Sequence, residues 1–142
     1  RGDLHFLGFL DVVLKDEISG KIKIIDIKTA TMGWNKYQKA DVVKNDQLLL
    51  YKEYYSKKHD VPVDMIDIEF LIFKRKLWEK AEFPQKRIQR HVPANGKPSM
   101  NKMRSRFNEF LDACYDEDGN VKNIEYEKCK GKCRAFTKCK DL

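Results

Sequence analysis

No apolar run in this sequence approaches the length of a membrane span, and its first residues do not read as a secretory signal. There is no internal repeat and no low-complexity tract, so solenoid and fibrous architectures are set aside. Cysteine is scarce: four residues among 142 make no disulfide scaffold in a chain large enough to fold around a core without staples. Three of the four crowd near the end, which suggests reduced thiols or metal and a cytoplasmic setting; small size and a lysine-rich composition suit a bacterial or phage-infected cell. Acidic residues are outnumbered, 22 against 29 Lys and Arg, for a net charge of +7. That balance favours an anionic partner, nucleic acid first. Methionine is missing from the first position, and Arg1 leads almost at once into strand-like sequence. We therefore expect a fragment, with parts of any site lying upstream.

What is present reads as one α/β or α+β domain. Residues 4–15 are rich in aromatic and β-branched side chains and predict a strand. Turn chemistry at 16–20 (DEISG) and a second strand at 21–28 make an antiparallel hairpin. Residues 29–37 read as a loop, and 39–59 as a helix with Val43, Gln47, Leu50, Tyr51 and Tyr54 along one stripe. A strand at 64–73 places Ile66, Ile68, Phe70 and Ile72 on one face, and 87–92 is a further short strand. After a turn at 93–97, Ser99 is placed to N-cap a helix carrying Met100, Met103, Phe107, Phe110, Leu111 and Cys114. The order predicts a mixed central sheet flanked by helices over residues 1–115, then a basic, Cys-containing tail over 116–142.

The stretch KIKIIDIK (21–28) carries the chemistry. Ile22 and Ile24 share one face of a strand, and that same face continues as Asp26 and Lys28. The hairpin sets Asp26 nearly opposite Asp11, which interrupts an apolar face formed by Leu7, Phe9 and Val13. Two neighbouring carboxylates raise each other's pKa unless a cation neutralises them. Hard oxygen ligands of this kind suit Mg²⁺ or Mn²⁺, which keep several waters and accept phosphate oxygens. Lys28 lies roughly 6.5–7 Å further along the same face, within reach of a water or phosphate held there. Gln47, in an otherwise apolar helical stripe one turn before Tyr51, needs buried partners that Tyr51 or the acids can provide.

Gly8-Phe9-Leu10-Asp11, Ile25-Asp26-Ile27-Lys28-Thr29 and Gln47-Leu48-Leu49-Leu50-Tyr51, in that order, resemble the PD-(D/E)XK nuclease superfamily. The nearest group is the RecB-like exonucleases, with G-x-x-D, D-x-K-T and Q-x-x-x-Y motifs; the likeness spans about residues 6–75. It implies a restriction-endonuclease-like fold, metal at Asp11, Asp26 and the Ile27 carbonyl, a catalytic Lys28, and Gln47 and Tyr51 completing the site. The implied activity is a DNA exonuclease of replication, recombination or repair, working with a helicase or recombination partner. Rivals are an endonuclease of the same superfamily and a catalytically silent DNA-binding module. His5 does not match the His or Glu that an upstream helix usually adds in that group.

Other features have competing readings. Cys129, Cys133 and Cys139 are spaced C-x3-C-x5-C, with Cys114 upstream. Some RecB-like enzymes hold a 4Fe–4S cluster with one upstream and three late cysteines, but their usual gap of two is three here; zinc and no metal at all remain open. Lys74, Arg75, Lys86, Arg87 and Arg90 are candidate contacts to the DNA backbone, sequence-independent and salt-sensitive. Trp34 either stacks on unpaired bases or anchors its loop. Asp67 and Glu69 alternate on a strand and read as a solvated or edge face.

Overall fold

The computed structural model describes residues 4–122. One of its two compact units, Phe6–Ser105, is built on a four-stranded mixed sheet in the order β1-β2-β3-β4: β1 (Val12–Lys15), β2 (Ile22–Ala30), β3 (Ile66–Lys74) and β4 (Ile88–His91). β1 and β2 form the expected antiparallel hairpin, with Val12 opposite Ile25. An Asx turn closes it: Asp16 accepts from the Ile18 amide at 2.9 Å and from the Ser19 hydroxyl at 2.6 Å. β3 runs parallel to β2, and β4 antiparallel to β3. The parallel step requires a crossover, supplied by α1 (Lys36–Lys39) and α2 (Val42–His59).

One sheet face carries Ile22 and Ile24 of β2 with Ile66, Ile68, Phe70 and Ile72 of β3, all nearly inaccessible. Leu48 and Leu49 of α2 pack here, and Trp34, Met100 and Met103 complete the core. Each such side chain contributes about 1.5–3 kcal/mol by burial. The other face carries Leu14, Ile27, Phe73 and Ile88, all exposed. This is a restriction-endonuclease-like α/β fold, a mixed sheet flanked by helices. Among the described residues no helix is long and apolar enough to cross a membrane.

Several local expectations are corrected. Residues 4–10 form no strand; β1 begins only at Val12. Phe6 stacks on Tyr54 of α2 (centroids 4.5 Å apart), so this segment crosses the helix instead of extending the hairpin. The loop expected over 29–37 is shorter, because β2 continues to Ala30 and Asn35 caps α1 through a capping box with Gln38. α2 starts at Val42, with Asp41 accepting from the Lys44 amide. Its buried positions are Leu48, Leu49, Lys52 and Glu53, whereas Val43 is 80% exposed. The polar pair is tolerated because each has a partner: Lys52 donates to Asn95 at 3.0 Å, and Glu53 accepts from Arg104 at 2.6 Å. The last helix, α3 (Lys97–Cys114), begins before Ser99, which therefore lies inside it and does not cap it.

Residues 4–5 and 106–122 group separately. There Phe107, Phe110 and Tyr115 form a chain of ring contacts, and a turn at Asp116 with Gly119 at φ 87° follows α3. Lys122 closes the segment by donating to the Asp112 carbonyl at 2.8 Å.

Glu69 is a further correction: far from solvated, it is 1% exposed. Arg90 grips it through two nitrogens, Nη2 reaching Oε2 at 2.8 Å, and Lys23 Nζ lies 2.6 Å from that same Oε2. The Arg90 bond, with Lys23 adding to it against burial, holds its carboxyl at about 2. A carboxylate lowered this way stabilises the fold above its unfolded pKa, about 4.3, and that stability is lost as pH falls toward 2. Because Arg90 is well exposed and Lys23 partly so, screening limits the effect. Glu69→Gln is expected to cost about 1–2 kcal/mol at pH 7. Denaturant melts should show that difference shrinking between pH 4.5 and pH 2.

Candidate active site

The hairpin register dictates where the two acids meet. With Val12 opposite Ile25, the next residue of each strand is Asp11 on one side and Asp26 on the other. Asp11 sits at the bend where β1 begins, and its Oδ2 accepts the Ile27 amide at 2.7 Å. A strand residue points its N–H and C=O to the same edge, so the Ile27 carbonyl faces that edge as well.

Asp26 follows Ile22 and Ile24 on the face that α2 covers, and only 4% of it is exposed. Burial raises its carboxyl above the usual carboxylate range; Lys28 works against the shift, and the negative charge of Asp11 adds to it. Lys28 Nζ lies 2.8 Å from Asp26 Oδ2, but outside hydrogen-bonding direction, so that buried oxygen has charge beside it and no hydrogen bond.

From Lys28 the contacts run on to α2. Lys28 Nζ donates to Gln47 Oε1 at 3.4 Å, and Gln47 Nε2 donates to Tyr51 Oη at 2.9 Å. Gln47 and Tyr51, one turn apart, share a helix face half-buried at the sheet margin. Gly8 packs against the Tyr51 ring so closely that a Cβ would lie 2.8 Å from Cε1. Asp11, Asp26, Lys28, Gln47 and Tyr51 are thus brought to one place from β1, β2 and α2.

The fit to a metal can be judged from these donors. Among the described residues no cluster of three or more His, Cys, Asp or Glu exists. What is offered is two carboxylates and a strand-edge carbonyl, all oxygen, one carboxylate oxygen being buried without a hydrogen bond. That set fits a small hard cation that retains most of its waters, as Mg²⁺ does.

Other expected residues fall elsewhere. Trp34 is 6% exposed and packs on Phe70 (5.1 Å) and His91, so it anchors its loop and presents no face for a base. Gln89, overlooked in the sequence, clamps it: its amide accepts from the Trp34 N–H at 2.7 Å and donates to the Trp34 carbonyl at 3.0 Å. Gly33 precedes it at φ 98°, where a Cβ would lie 2.9 Å from Gln89 Oε1. Alternation on β4 was the one signal that could have aimed Gln89 at this face. Arg90 is paired with Glu69 through Nε and Nη2 while its side chain stays exposed. Arg75 donates to Thr31 Oγ1, and Arg87 to the Lys74 and Arg75 carbonyls, both with exposed side chains beyond the C-terminal end of β3. Lys86 is exposed and Lys74 half-buried in the same region. Cys114 is half-buried with a free thiol; Cys129, Cys133 and Cys139 lie outside the described residues.

An acid pair, a lysine and a glutamine–tyrosine helix face thus lie together on this fold. The family model of the PD-(D/E)XK nuclease superfamily matches residues 2–140. The chain belongs to that superfamily and is a nuclease in the general sense the family defines. No curated protein and no solved structure shows a significant match to it.

The raised carboxyl of Asp26 has a consequence for stability. A folded-state pKa above the unfolded value favours the fold when the group is protonated, and that contribution fades as pH rises through the folded pKa. Asp26→Asn, a neutral isostere, should therefore melt above the native chain at pH 7 in EDTA. The gap should close as pH falls toward 4; thermal melts across that range check it.

Proposed function

We propose that this chain is a metal-dependent deoxyribonuclease of RecB-like type, an exonuclease of DNA replication, recombination or repair. The observation that supports it most is the unbroken series of contacts from Asp26 through Lys28 and Gln47 to Tyr51, with Asp11 across the hairpin. A scaffold that only bound DNA would need no buried acid beside a lysine tethered in this way.

Asp11, Asp26 and the Ile27 carbonyl would hold Mg²⁺ or Mn²⁺, which supplies polarisation of the phosphodiester and a more acidic water. The chain's own groups do the rest. Gln47 restrains the Lys28 ammonium, and Tyr51 restrains Gln47, so the long lysine side chain stays at the reacting centre. There the ammonium orients the attacking water and offsets negative charge that builds on the phosphoryl oxygens as water adds in line and the P–O bond breaks. Asp26, held in a site that burial has partly dried, makes that local charge pairing stronger than it would be in bulk water. Lys74, Arg75, Lys86 and Arg87, around the C-terminal end of β3, would track the DNA backbone. A helicase or recombination protein is the kind of partner such an enzyme would serve.

Asp26→Ala and Lys28→Ala should each lower Mg²⁺-dependent cleavage about 100-fold or more while leaving DNA binding nearly intact. Gln47→Ala should lower it less, because the lysine stays but is no longer restrained. End-labelled linear DNA run beside closed circles, with Mg²⁺ or EDTA, gives the readout. Cleavage that persists in both purified alanine variants rejects the mechanism, and nicked circles assign an endonuclease.

A further inference from the structure

Beyond Tyr51, α2 presents two more tyrosines and two basic residues toward a surface cleft of roughly 180 Å³. Its walls include Phe6, Tyr51, Tyr54, Tyr55, Lys58 and His59. Phe6 and Tyr54 stack at 4.5 Å with planes 16° apart, and Tyr55 lies against the His59 ring at 4.2 Å. Drug-sized ligands need about 300 Å³ or more; this volume suits one planar group.

The cleft adjoins the proposed active site through Tyr51, which belongs to both. Its hydroxyl accepts from Gln47, and its ring forms part of the cleft wall under Gly8. From Gln47 to Tyr55 the helix rises about 12 Å, the length of roughly three to four stacked nucleotides at about 3.4 Å each. Lys58 and His59 lie in the last turn of α2, where the helix dipole favours positive charge. Aromatic walls with cations at the rim, a few nucleotides from a phosphodiester site, match what a single strand offers: exposed base faces and phosphates. A paired base has both faces covered by its neighbours and cannot enter.

We propose that this cleft is a base-stacking subsite for an unpaired nucleobase of the strand being cut, so that the substrate is a single-stranded or frayed DNA end. This rests on the reading of Asp26 and Lys28 as the hydrolytic centre, and it adds the strand state that centre accepts. Tyr55 and Lys58 touch the strand without taking part in bond breaking.

The test uses the full chain carrying Asp26→Asn, with single-stranded oligonucleotides bearing 2-aminopurine at each of the first four positions from either end. Binding should quench fluorescence at one or two adjacent positions, and adding Tyr55→Ala should remove that quench and weaken binding about 5- to 150-fold, the equivalent of about 1–3 kcal/mol for one stacked base. Tyr55→Phe, which keeps the ring, should retain both. In the otherwise native chain, Tyr55→Ala should raise KM for single strands and leave kcat little changed. Lys58→Glu, at an exposed position, should also weaken single-strand binding, and it serves as the test should Tyr55→Ala melt early. Absence of quenching at every position, or unchanged binding by folded Tyr55→Ala and Lys58→Glu, overturns the proposal. The two readings fail differently: cleavage by Asp26→Ala would reject the hydrolytic centre, whereas the fluorescence result requires no cleavage.

Discussion

The Asp11 carboxylate and the Ile27 amide meet at 2.7 Å, and the site depends on that contact. β1 is only four residues long and lies at the sheet edge, so few ladder bonds hold its N-terminal end in place. The side-chain bond extends the hairpin by one more rung and keeps Asp11 against β2 just where Asp26 turns inward. A slip of one residue in this register would send Asp11 to the opposite face. The acids would then be lost as a pair, although Asp26 and Lys28 would keep their places through the pairing of β2 with β3.

From this anchor the rest of the site follows through the parallel crossover. Because β3 pairs parallel to β2, the chain must return over one sheet face, and α2 is the element that does so. Leu48 and Leu49 seat the helix on the isoleucine face, which brings Gln47 and Tyr51 to its margin beside Lys28. The segment of residues 6–10 then crosses α2, with Gly8 allowing its backbone to approach the Tyr51 ring. A glycine three residues before the acid therefore has a packing reason: it sets the position of the tyrosine that restrains the glutamine. The same crossing forms one wall of the aromatic cleft beyond the site.

Charge is placed inside this protein more freely than its composition suggests. Asp26, Lys52, Glu53 and Glu69 are all nearly inaccessible, and they fall into two kinds. Lys52, Glu53 and Glu69 are satisfied by partners: an asparagine, Arg104 with Lys57, and Arg90 with Lys23. Asp26 differs, since one of its oxygens has a charge nearby but no hydrogen bond, and burial raises its carboxyl where Glu69 is lowered. Lys28 is the cation beside that oxygen, yet burial still outweighs it, and the proposed cation site lies where that cost falls.

Much of this was legible in the residues themselves. The alternating isoleucines of β2 and β3, the turn at 16–20 and the motif spacings determined the hairpin, the strand faces and the set Asp11, Asp26, Lys28, Gln47 and Tyr51. These signals are local, since periodicity and turn chemistry act over a few residues. Tertiary structure alone decided which charges went inside and which aromatics stayed at the surface. Arg90 reaches Glu69 from 21 residues away, Arg104 reaches Glu53 from 51, and Gln89 holds Trp34 from 55. No window along the chain contains both members of such a pair. A buried charge is tolerated only when its partner arrives, so its fate belongs to the folded contacts.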